Sequence, residues 1–138
     1  FSTHLPNTTV YIEGEKTLFM RVFDNLFSNL LKYTSAHSQV DLTLQQHAQS
    51  VLCTLRDRGI GVSQEELERI FEPFYRSDLS RSRKTGGTGL GLSLVKRIVS
   101  VHGGQVWATL PEDQEGGLMI HLALKRESSL DFLNENSH

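Results

Sequence analysis

The sequence predicts an α+β two-layer sandwich, in which about three helices cover one face of a mixed, mostly antiparallel five-stranded sheet. Segments 39–46 and 50–57 alternate polar and apolar residues and are joined by a short polar turn, and segments 105–110 and 117–125 form a second such pair. The fifth strand is predicted at 9–14, "TVYIEG". Strands that follow one another in hairpins favour an antiparallel sheet, whereas a doubly wound fold alternates single strands with helices.

Amphipathic patterns predict the helices. A helix is expected at 15–33, because its apolar residues gather on one side of a helical wheel: Phe19, Phe23, Leu26, Phe27, Leu30 and Leu31. Ser63 and Glu66 have the spacing of a capping box and predict a helix that ends near Pro73. The last helix is expected at 90–102, with an apolar arc made of Leu92, Leu94, Val95, Ile98, Val99 and Val101.

Length and charge bound the class of protein. The chain has 138 residues, which suits one domain; we expect that domain at 1–125 and a polar tail at 126–138. A net charge of −2 argues against nucleic-acid binding, and no apolar stretch is long enough to span a bilayer. The single cysteine, Cys53, lies in an alternating segment and is expected to be a buried apolar group in a reducing, cytoplasmic compartment. Because the chain begins with Phe1 and not Met, we expect a fragment of a longer protein.

A glycine-rich stretch, "GGTGLGL" at 86–92, opens the last predicted helix. The first N–H groups of a helix have no intrahelical partner, and Gly87, Gly89 and Gly91 would let phosphate oxygens reach them. The alternative is a flexible linker that happens to precede a helix. The pattern is neither G-x-x-x-x-G-K-[ST] nor G-x-G-x-x-G, so neither of those phosphate motifs is present.

Two further groups of polar residues suit a nucleotide. Asn25, Asn29 and Lys32 project from one side of the first predicted helix, where amide oxygens can bind a divalent ion and the lysine can bind phosphate. The alternative is an ordinary solvated helix face. Asp57 ends a predicted strand in "DRGIG", and its carboxylate could accept a hydrogen bond from the amino group of adenine. The alternative there is a plain turn.

Four motifs in order carry a family resemblance. "DNLFSNLLKY" (24–33), "DRGIG" (57–61), "FEPFYR" (71–76) and "GGTGLGL" (86–92) resemble the N box, first glycine box, F box and second glycine box of the sensor histidine kinase catalytic domain. That domain belongs to a superfamily shared with DNA gyrase, the large heat-shock chaperones and the MutL proteins. The resemblance covers nearly the whole chain and implies its Bergerat-type ATP-binding fold, with ATP and Mg²⁺ as cofactors.

The resemblance also implies roles for individual residues. Asn29 would be the principal Mg²⁺ ligand, Asn25 would assist it, and Lys32 would contact phosphate. Tyr33 would pack beside the adenine base and Asp57 would accept its amino group. The other residues implied in nucleotide binding are Gly59 and Gly61 beside the base, Arg76 and Arg81 flanking a lid over the phosphates, and the backbone of Gly87, Thr88, Gly89, Leu90, Gly91 and Leu92. Phe71 and Phe74 would anchor the lid and face a partner domain.

The implied reaction moves the γ-phosphoryl group of ATP onto a histidine of a separate dimerisation domain. That acceptor is normally followed by an acidic residue, and none of the six histidines here is. We therefore expect an isolated, monomeric catalytic domain that acts on its own dimerisation domain and, indirectly, a response regulator. We expect no nucleic-acid or membrane contact, although the parent protein would be tethered to the cell membrane. The rival hypotheses are a nucleotide sensor without phosphotransfer and an ATPase or serine kinase of the same superfamily.

Overall fold

A computed structural model of the chain describes residues 2–33, 39–59, 61–75, 91–112 and 116–127, with the side chains of all of these except Ser2 and residues 30–33. The described strands form one five-stranded sheet in the order β1-β2-β3-β5-β4. Only β1 and β2 are parallel, and every other neighbouring pair is antiparallel. The bounds are β1 Ser2–His4, β2 Asp41–Gln46, β3 Ser50–Arg56, β4 Gln105–Thr109 and β5 Met119–Lys125. The predicted fold class is confirmed.

Two long helices cover one face of this sheet. They are α1 (Lys16–Tyr33) and α2 (Gly91–Val101). Buried side chains of both helices pack against inward-facing residues of β3 and β5: Phe19, Val22, Leu26, Val95, Ile98 and Val99 from the helices, and Cys53, Leu55, Ile120, Leu122 and Leu124 from the strands. The helical periodicity and the alternation of the two hairpins therefore meet in one core.

The prediction of a strand at 9–14 is wrong. In that segment only Ile12 forms a bridge, to Arg126, and the edge of the sheet beside β2 is instead formed by the short β1. Gly14 ends the segment with a positive φ of 155°, and a β-carbon there would overlap the Phe19 ring. The chain therefore leaves the extended conformation where it must pass closely over α1.

The helix predicted between Ser63 and Pro73 is replaced by two single 3₁₀ turns, Gln64–Glu66 and Arg69–Phe71. The capping-box pair itself is present, since the N–H and the hydroxyl of Ser63 both donate to Glu66 Oε1, at 3.3 and 2.9 Å. Ile70 and Phe71 turn into the core from the second turn. Burial of these two side chains, and not continuous helical hydrogen bonding, determines the path of the segment.

The apolar arc predicted for α2 is correct except at its end. Val101 is 78% exposed, although it was placed on the buried side. The buried stripe consists of Val95, Ile98 and Val99, and at 100° per residue Val101 lies roughly 110° from the centre of that stripe. On α1 the prediction omits a buried residue. Val22 is not on the predicted apolar side of that helix, yet it is fully buried.

The two helices run antiparallel and lie close together at both ends of their shared length. A β-carbon added to Gly91, the first residue of α2, would lie 4.0 Å from Asn25 Cβ in the middle of α1. Beyond the other end of α2, His102 Nδ1 donates to Ile98 O at 2.8 Å, and its Nε2 accepts the N–H of Glu15 at 3.2 Å. One imidazole thus joins the C-terminus of α2 to the N-terminus of α1.

Backbone hydrogen bonds continue past β5, where Glu127 N–H donates to Tyr11 O at 3.1 Å and Arg126 N–H donates to Gln49 O at 3.0 Å. Within the described ranges, no helix combines the length and the hydropathy needed to cross a lipid bilayer.

Candidate functional site

Asp57 is the first residue of the candidate site. Among the described residues it is the one charged residue that is buried. Alternation along β3 points Val51, Cys53 and Leu55 into the core, and Asp57 continues that alternation one residue beyond the strand. Its side chain is only 6% exposed. The N–H of Gly59 donates to Asp57 Oδ1 at 2.9 Å, and Asp57 N–H donates to Leu118 O at 3.0 Å.

Burial raises the pKa of the Asp57 carboxyl above its ordinary value. The backbone N–H groups of Gly59 and Leu118, and the Arg56 guanidinium, act in the opposite direction and favour the ionised form. A buried carboxylate with this partial compensation gains from a further hydrogen-bond donor. The exocyclic amine of adenine is a donor of that kind.

Two glycines allow the backbone around Asp57 to pack closely, and one of them, Gly117, is not among the site residues predicted from the sequence. Gly117 has φ +97°, and a β-carbon on it would overlap the carbonyl oxygen of Asp57. Gly61 has φ +74°, and its β-carbon would lie 2.7 Å from Gly117 O. The "DRGIG" turn and the start of β5 therefore touch through backbone alone. The "GG" before the last strand could have indicated this close approach, but the sequence analysis interprets it as part of an ordinary hairpin turn.

The amide side chains of α1 form a second part of the site. Asn25 and Asn29 lie one helical turn apart, and both are half-buried. The Asn25 Nδ2 atom is buried and has no hydrogen-bond partner among the described residues. A β-carbon added to Gly91 would lie 4.0 Å from Asn25 Cβ, so the first residue of α2 lies near this side chain. The first and last predicted motifs are therefore close together at this point.

A third feature is the turn from Glu72 to Tyr75, where Tyr75 N–H donates to Glu72 O at 3.2 Å. Pro73 stands at the second position, and Phe74 at the third has φ +64°, a conformation that favours glycine. The Phe74 side chain is 71% exposed. Tyr75, which follows it, packs against the core and donates its hydroxyl to Glu66.

The expectation that Phe71 faces a partner is wrong. Phe71 is 5% exposed, belongs to the core, and has Lys96 Nζ 6.0 Å from its ring centroid. Of the two F-box phenylalanines, only Phe74 presents its ring to solvent.

Several predicted site residues cannot be placed. The side chains of Lys32 and Tyr33 lie outside the described part of the structure, as do all of Arg76, Arg81, Gly87, Thr88, Gly89 and Leu90. Leu92 is half-buried and packs against the core. Among the described residues no three His, Cys, Asp or Glu side chains form a group that could hold a metal ion.

His121 lies on the other face of the sheet, away from these groups. Its Nδ1 pairs with Thr54 Oγ1 at 3.1 Å and its Nε2 with Thr109 Oγ1 at 2.8 Å, and its ring stacks on Trp107 with centroids 5.2 Å apart. Burial lowers the pKa of His121. A neutral ring held at both nitrogens has a structural role here.

This fold and this site define an ATP-binding domain of the class found in histidine kinases, gyrase and the HSP90 chaperones. The sequence model of the "Histidine kinase-, DNA gyrase B-, and HSP90-like ATPase" family matches residues 14–128. The chain belongs to that family, and the resemblance inferred from the four motifs is confirmed.

Proteins similar to this chain include sensor kinases. The chain is 34% identical over 134 residues to the sensor histidine kinase WalK of Bacillus subtilis. This alignment covers 96% of this chain and 22% of WalK. It is 43% identical over 105 residues to the sensor histidine kinase RppB of Synechocystis, covering 76% of this chain and 23% of RppB. The chain thus spans about a fifth of the length of the curated relatives it matches.

Solved structures point the same way. The mycobacterial sensor histidine kinase MprB superposes with a TM-score of 0.82 at 28% identity, over 91% of this chain and 84% of MprB. The catalytic domain of histidine kinase ThkA superposes with a TM-score of 0.75 at 25% identity, over 91% of this chain and 78% of that one. The chain is therefore similar to the catalytic part of these kinases.

Proposed function

We propose that this chain is the Mg–ATP-binding catalytic domain of a two-component sensor histidine kinase. It transfers the γ-phosphoryl group of ATP to a histidine on a separate dimerisation domain: the bond from the γ-phosphorus to the β–γ bridging oxygen breaks, a nitrogen–phosphorus bond forms, and ADP leaves. The observation that supports the proposal is that Gly91 lies near Asn25. A β-carbon added to Gly91 would be 4.0 Å from Asn25 Cβ, and the buried Nδ2 of Asn25 has no hydrogen-bond partner among the described residues. The buried Asp57 supplies the adenine contact of the same site.

The donor set of α1 fits Mg²⁺ and phosphate. A hard divalent ion prefers oxygen ligands and keeps several waters, so an amide oxygen of Asn29, assisted by Asn25, can complete its shell. The buried Nδ2 of Asn25 then has an acceptor in a phosphate oxygen or a metal-bound water. Mg²⁺, when bound, neutralises charge on the phosphates. Lys32, Arg81 and Arg76 are proposed to neutralise the remainder.

The adenine contact depends on close approach of the base to the backbone. We assign the amino group of the base to the Asp57 carboxylate, with Gly59 and Gly61 leaving room beside it and Tyr33 packing on the ring. The remaining phosphate contacts are assigned to the backbone of Gly87, Thr88, Gly89, Leu90, Gly91 and Leu92. The full-length ShkA structure, which shares this fold, is described as a complex with AMPPNP.

Asn25 favours the kinase over the ATPase of the same superfamily. In the hydrolysing members, a glutamate one helical turn before the Mg²⁺-binding asparagine activates water. An amide cannot accept a proton in that way, so general-base assistance of roughly 10²–10⁴-fold is missing here. The domain is therefore expected to hold ATP with little hydrolysis until an acceptor imidazole is in line.

Phe74 is the proposed contact with the dimerisation domain. An exposed aromatic ring on a strained turn suits insertion into an apolar groove of a partner. ThkA, a structural neighbour, has been solved in complex with the response regulator TrrA. A response regulator is the proposed indirect partner of this chain also, with the domain itself monomeric and cytoplasmic and its parent tethered to the membrane.

The test uses γ-labelled ATP with two mixtures, together with calorimetry of one variant and its control. The chain alone is expected to release phosphate very slowly and to label no residue of its own. With a separate domain that carries the acceptor histidine, it is expected to give acid-labile label on that domain. Asn29→Ala is expected to abolish the Mg²⁺-dependent part of ATP binding in calorimetry, and Ser28→Ala, an exposed neighbour on α1, serves as the matched control.

Other outcomes identify the rivals. Rapid phosphate release by the chain alone would indicate an ATPase, and acid-stable label on serine would indicate a serine kinase. Tight ATP binding without transfer to a cognate acceptor would indicate a nucleotide sensor. Mg–ATP binding by Asn29→Ala equal to that of the unmodified chain would show that the metal assignment is wrong.

A further inference from the structure

A cluster of hydrogen bonds around one carboxylate joins the segment after Gly61 to the turn that carries Phe74. Glu66 Oε1 accepts the N–H of Ser63 at 3.3 Å and the hydroxyl of the same residue at 2.9 Å. Glu66 Oε2 accepts the hydroxyl of Tyr75. Ser63 O in turn accepts the N–H of Glu66 at 3.0 Å. The two oxygens of this half-buried carboxylate therefore hold two different segments of the chain together.

The exposed ring of Phe74 lies between two fixed points. On its N-terminal side, Ile70 and Phe71 are buried in the core. On its C-terminal side, Tyr75 packs against the core and donates its hydroxyl to Glu66. The turn between these points gives Phe74 a φ of +64°, which a residue with a side chain keeps only when the surrounding contacts impose it. The bond from Tyr75 to Glu66 is a contact of that kind.

The cluster reaches further than an ordinary helix cap. A capping box needs the glutamate to accept the N–H of its cap residue, and Oε1 does this for Ser63. Oε2 instead accepts a hydroxyl nine residues along the chain. The local role and the long-range role thus belong to different oxygens of Glu66, so that variants of Ser63 and of Tyr75 can separate them.

We propose that Glu66 is a positioning residue for the docking of Phe74 on the dimerisation domain. Its carboxylate fixes Tyr75, and this bond holds the preceding residue at positive φ with the ring directed to the partner. A hydrogen bond to an ionised carboxylate is stronger than one between neutral groups, so its loss releases the strained turn. The docking step rests on the proposed function, whereas the effect of Glu66 on the turn does not.

The expected size of the effect follows from the fraction of molecules that present the ring. Without the bond, the turn exchanges with conformations at negative φ, and the apparent affinity for the partner falls with the fraction that keeps the docking conformation. Loss of one hydrogen bond to a charged group should therefore raise the KM for the dimerisation domain about tenfold. The kcat and the ADP affinity should stay the same, because Asn25 and Asp57 lie outside the cluster.

The experiment compares the unmodified 138-residue chain, labelled with nitrogen-15, with Tyr75→Phe. The nuclear Overhauser effect between the amide and α hydrogens of Phe74 should be strong in the unmodified chain, as a positive φ requires, and weaker in the variant. The amide hydrogen of Tyr75, which is bonded to Glu72 O, should exchange faster in the variant. A transfer assay with a separate dimerisation domain then measures KM and kcat, and calorimetry measures ADP affinity.

Three further variants test whether the carboxylate is responsible. Glu66→Ala should reproduce the effects of Tyr75→Phe on the Phe74 signal and on KM, and combining the two substitutions should add nothing further. Ser63→Ala removes only the hydroxyl bond to Oε1 and should leave both measurements unchanged. Glu65→Ala, an equal change at the exposed neighbouring residue, is the matched control.

An unchanged Phe74 signal or an unchanged KM in Tyr75→Phe overturns the proposal, as does an equal effect of Ser63→Ala. A loss of ADP affinity in proportion to the rise in KM also overturns it, because it indicates general destabilisation of the domain. If the unmodified chain transfers no phosphate at all, the proposed function fails. The NMR comparison then still shows whether Glu66 holds the turn.

Discussion

The carbonyl oxygen of Asp57 occupies the space that a side chain on Gly117 would need. The two residues belong to different hairpins, and they can lie this close because Gly117 has φ +97° and no β-carbon. The segment just before β5 therefore acts as a backbone support for the carboxylate that we assign to adenine. A pair of glycines before a strand is usually only a turn, but here it determines the position of the aspartate that we propose for adenine binding.

Gly117→Ala should destabilise the domain more than Gly116→Ala. Both positions have positive φ, +97° and +76°, so both alanines cost about 1–2 kcal/mol of backbone strain. Only at Gly117 must the Asp57 backbone also move, because the nearest atom to a β-carbon on Gly116 is Gly59 O at 3.7 Å. Urea unfolding and ADP titration measure the two effects. Equal losses of stability and affinity in the two variants would contradict the support role.

Asp57→Asn should weaken ADP binding by roughly 10–100-fold, since a hydrogen bond to a charged acceptor is lost. The asparagine amide can present a donor to the donor of adenine, whereas guanine carries a carbonyl at the equivalent ring position. GDP binding should therefore fall much less than ADP binding. Calorimetry with both nucleotides tests this, and Asp24→Asn, on the exposed side of α1, is the control. A parallel loss for ADP and GDP would remove Asp57 from base recognition.

Ionisation of Asp57 and of Asp41 should change the free energy of unfolding with pH in opposite directions. Burial raises the pKa of Asp57, so the folded state binds that proton more tightly than the unfolded state does. Relative to Asp57→Asn, the unmodified chain should lose stability as pH rises from about 3.8, the ordinary value, through the folded-state pKa. Gln39 and Arg58 lower the pKa of Asp41, so relative to Asp41→Asn the chain should gain stability as pH rises through the folded-state pKa towards 3.8. Thermal melts at about five pH values between about 3 and 7 compare the unmodified chain with the two variants. If the stability difference from each variant changes with pH in the same direction, the opposite pKa shifts of Asp57 and Asp41 are refuted.

Phe74→Gly should raise the stability of the isolated domain by about 1 kcal/mol, because glycine adopts φ +64° without strain. Phe74→Ala keeps that strain and removes an exposed ring, so its stability should stay close to that of the unmodified chain. Both variants should lose phosphotransfer to a separate dimerisation domain while keeping ADP affinity. Thermal melts and the transfer assay separate the two effects. Full transfer by Phe74→Ala would show that the ring is not a docking contact.

Cys53 should be slow to alkylate in the folded chain. Burial raises the pKa of its thiol to about 11, so the thiolate fraction at pH 8 falls roughly 10²-fold below that of an ordinary cysteine. Iodoacetamide labelling at pH 8, followed by mass spectrometry, should therefore be slow in buffer and fast in urea. Equal rates in the two conditions would show that β3 opens readily at this position.

Local sequence patterns predict most of this fold correctly, because in most elements the residues of the apolar pattern are also those that pack into the core. The alternation of β2 and β3 and the stripe of α1 each follow from one buried face. The patterns failed where long-range contacts decide the conformation. Residues 9–14 alternate well enough for a strand, yet the edge beside β2 is taken by Ser2–His4, whose sequence has no apolar alternation.

The candidate site was predicted through its motifs and not through its geometry. Asp57 was predicted because a polar residue ended an alternating strand, and it is buried. Phe71 and Phe74 could not be told apart, since only the 3₁₀ turn and the positive φ of Phe74 send the two rings in opposite directions. The support by Gly117 depends on a contact between two hairpins, which no local pattern encodes.

The imidazole of His102 has a consequence for how the molecule opens. It joins Ile98 O of α2 to the N–H of Glu15, and its ring centroid lies 4.7 Å from that of Phe19 on α1. Because one side chain links the two helices, the last turn of α2 and the first turn of α1 should open together, as one cooperative unit of local unfolding. Amide hydrogens of these two turns should therefore exchange at similar rates.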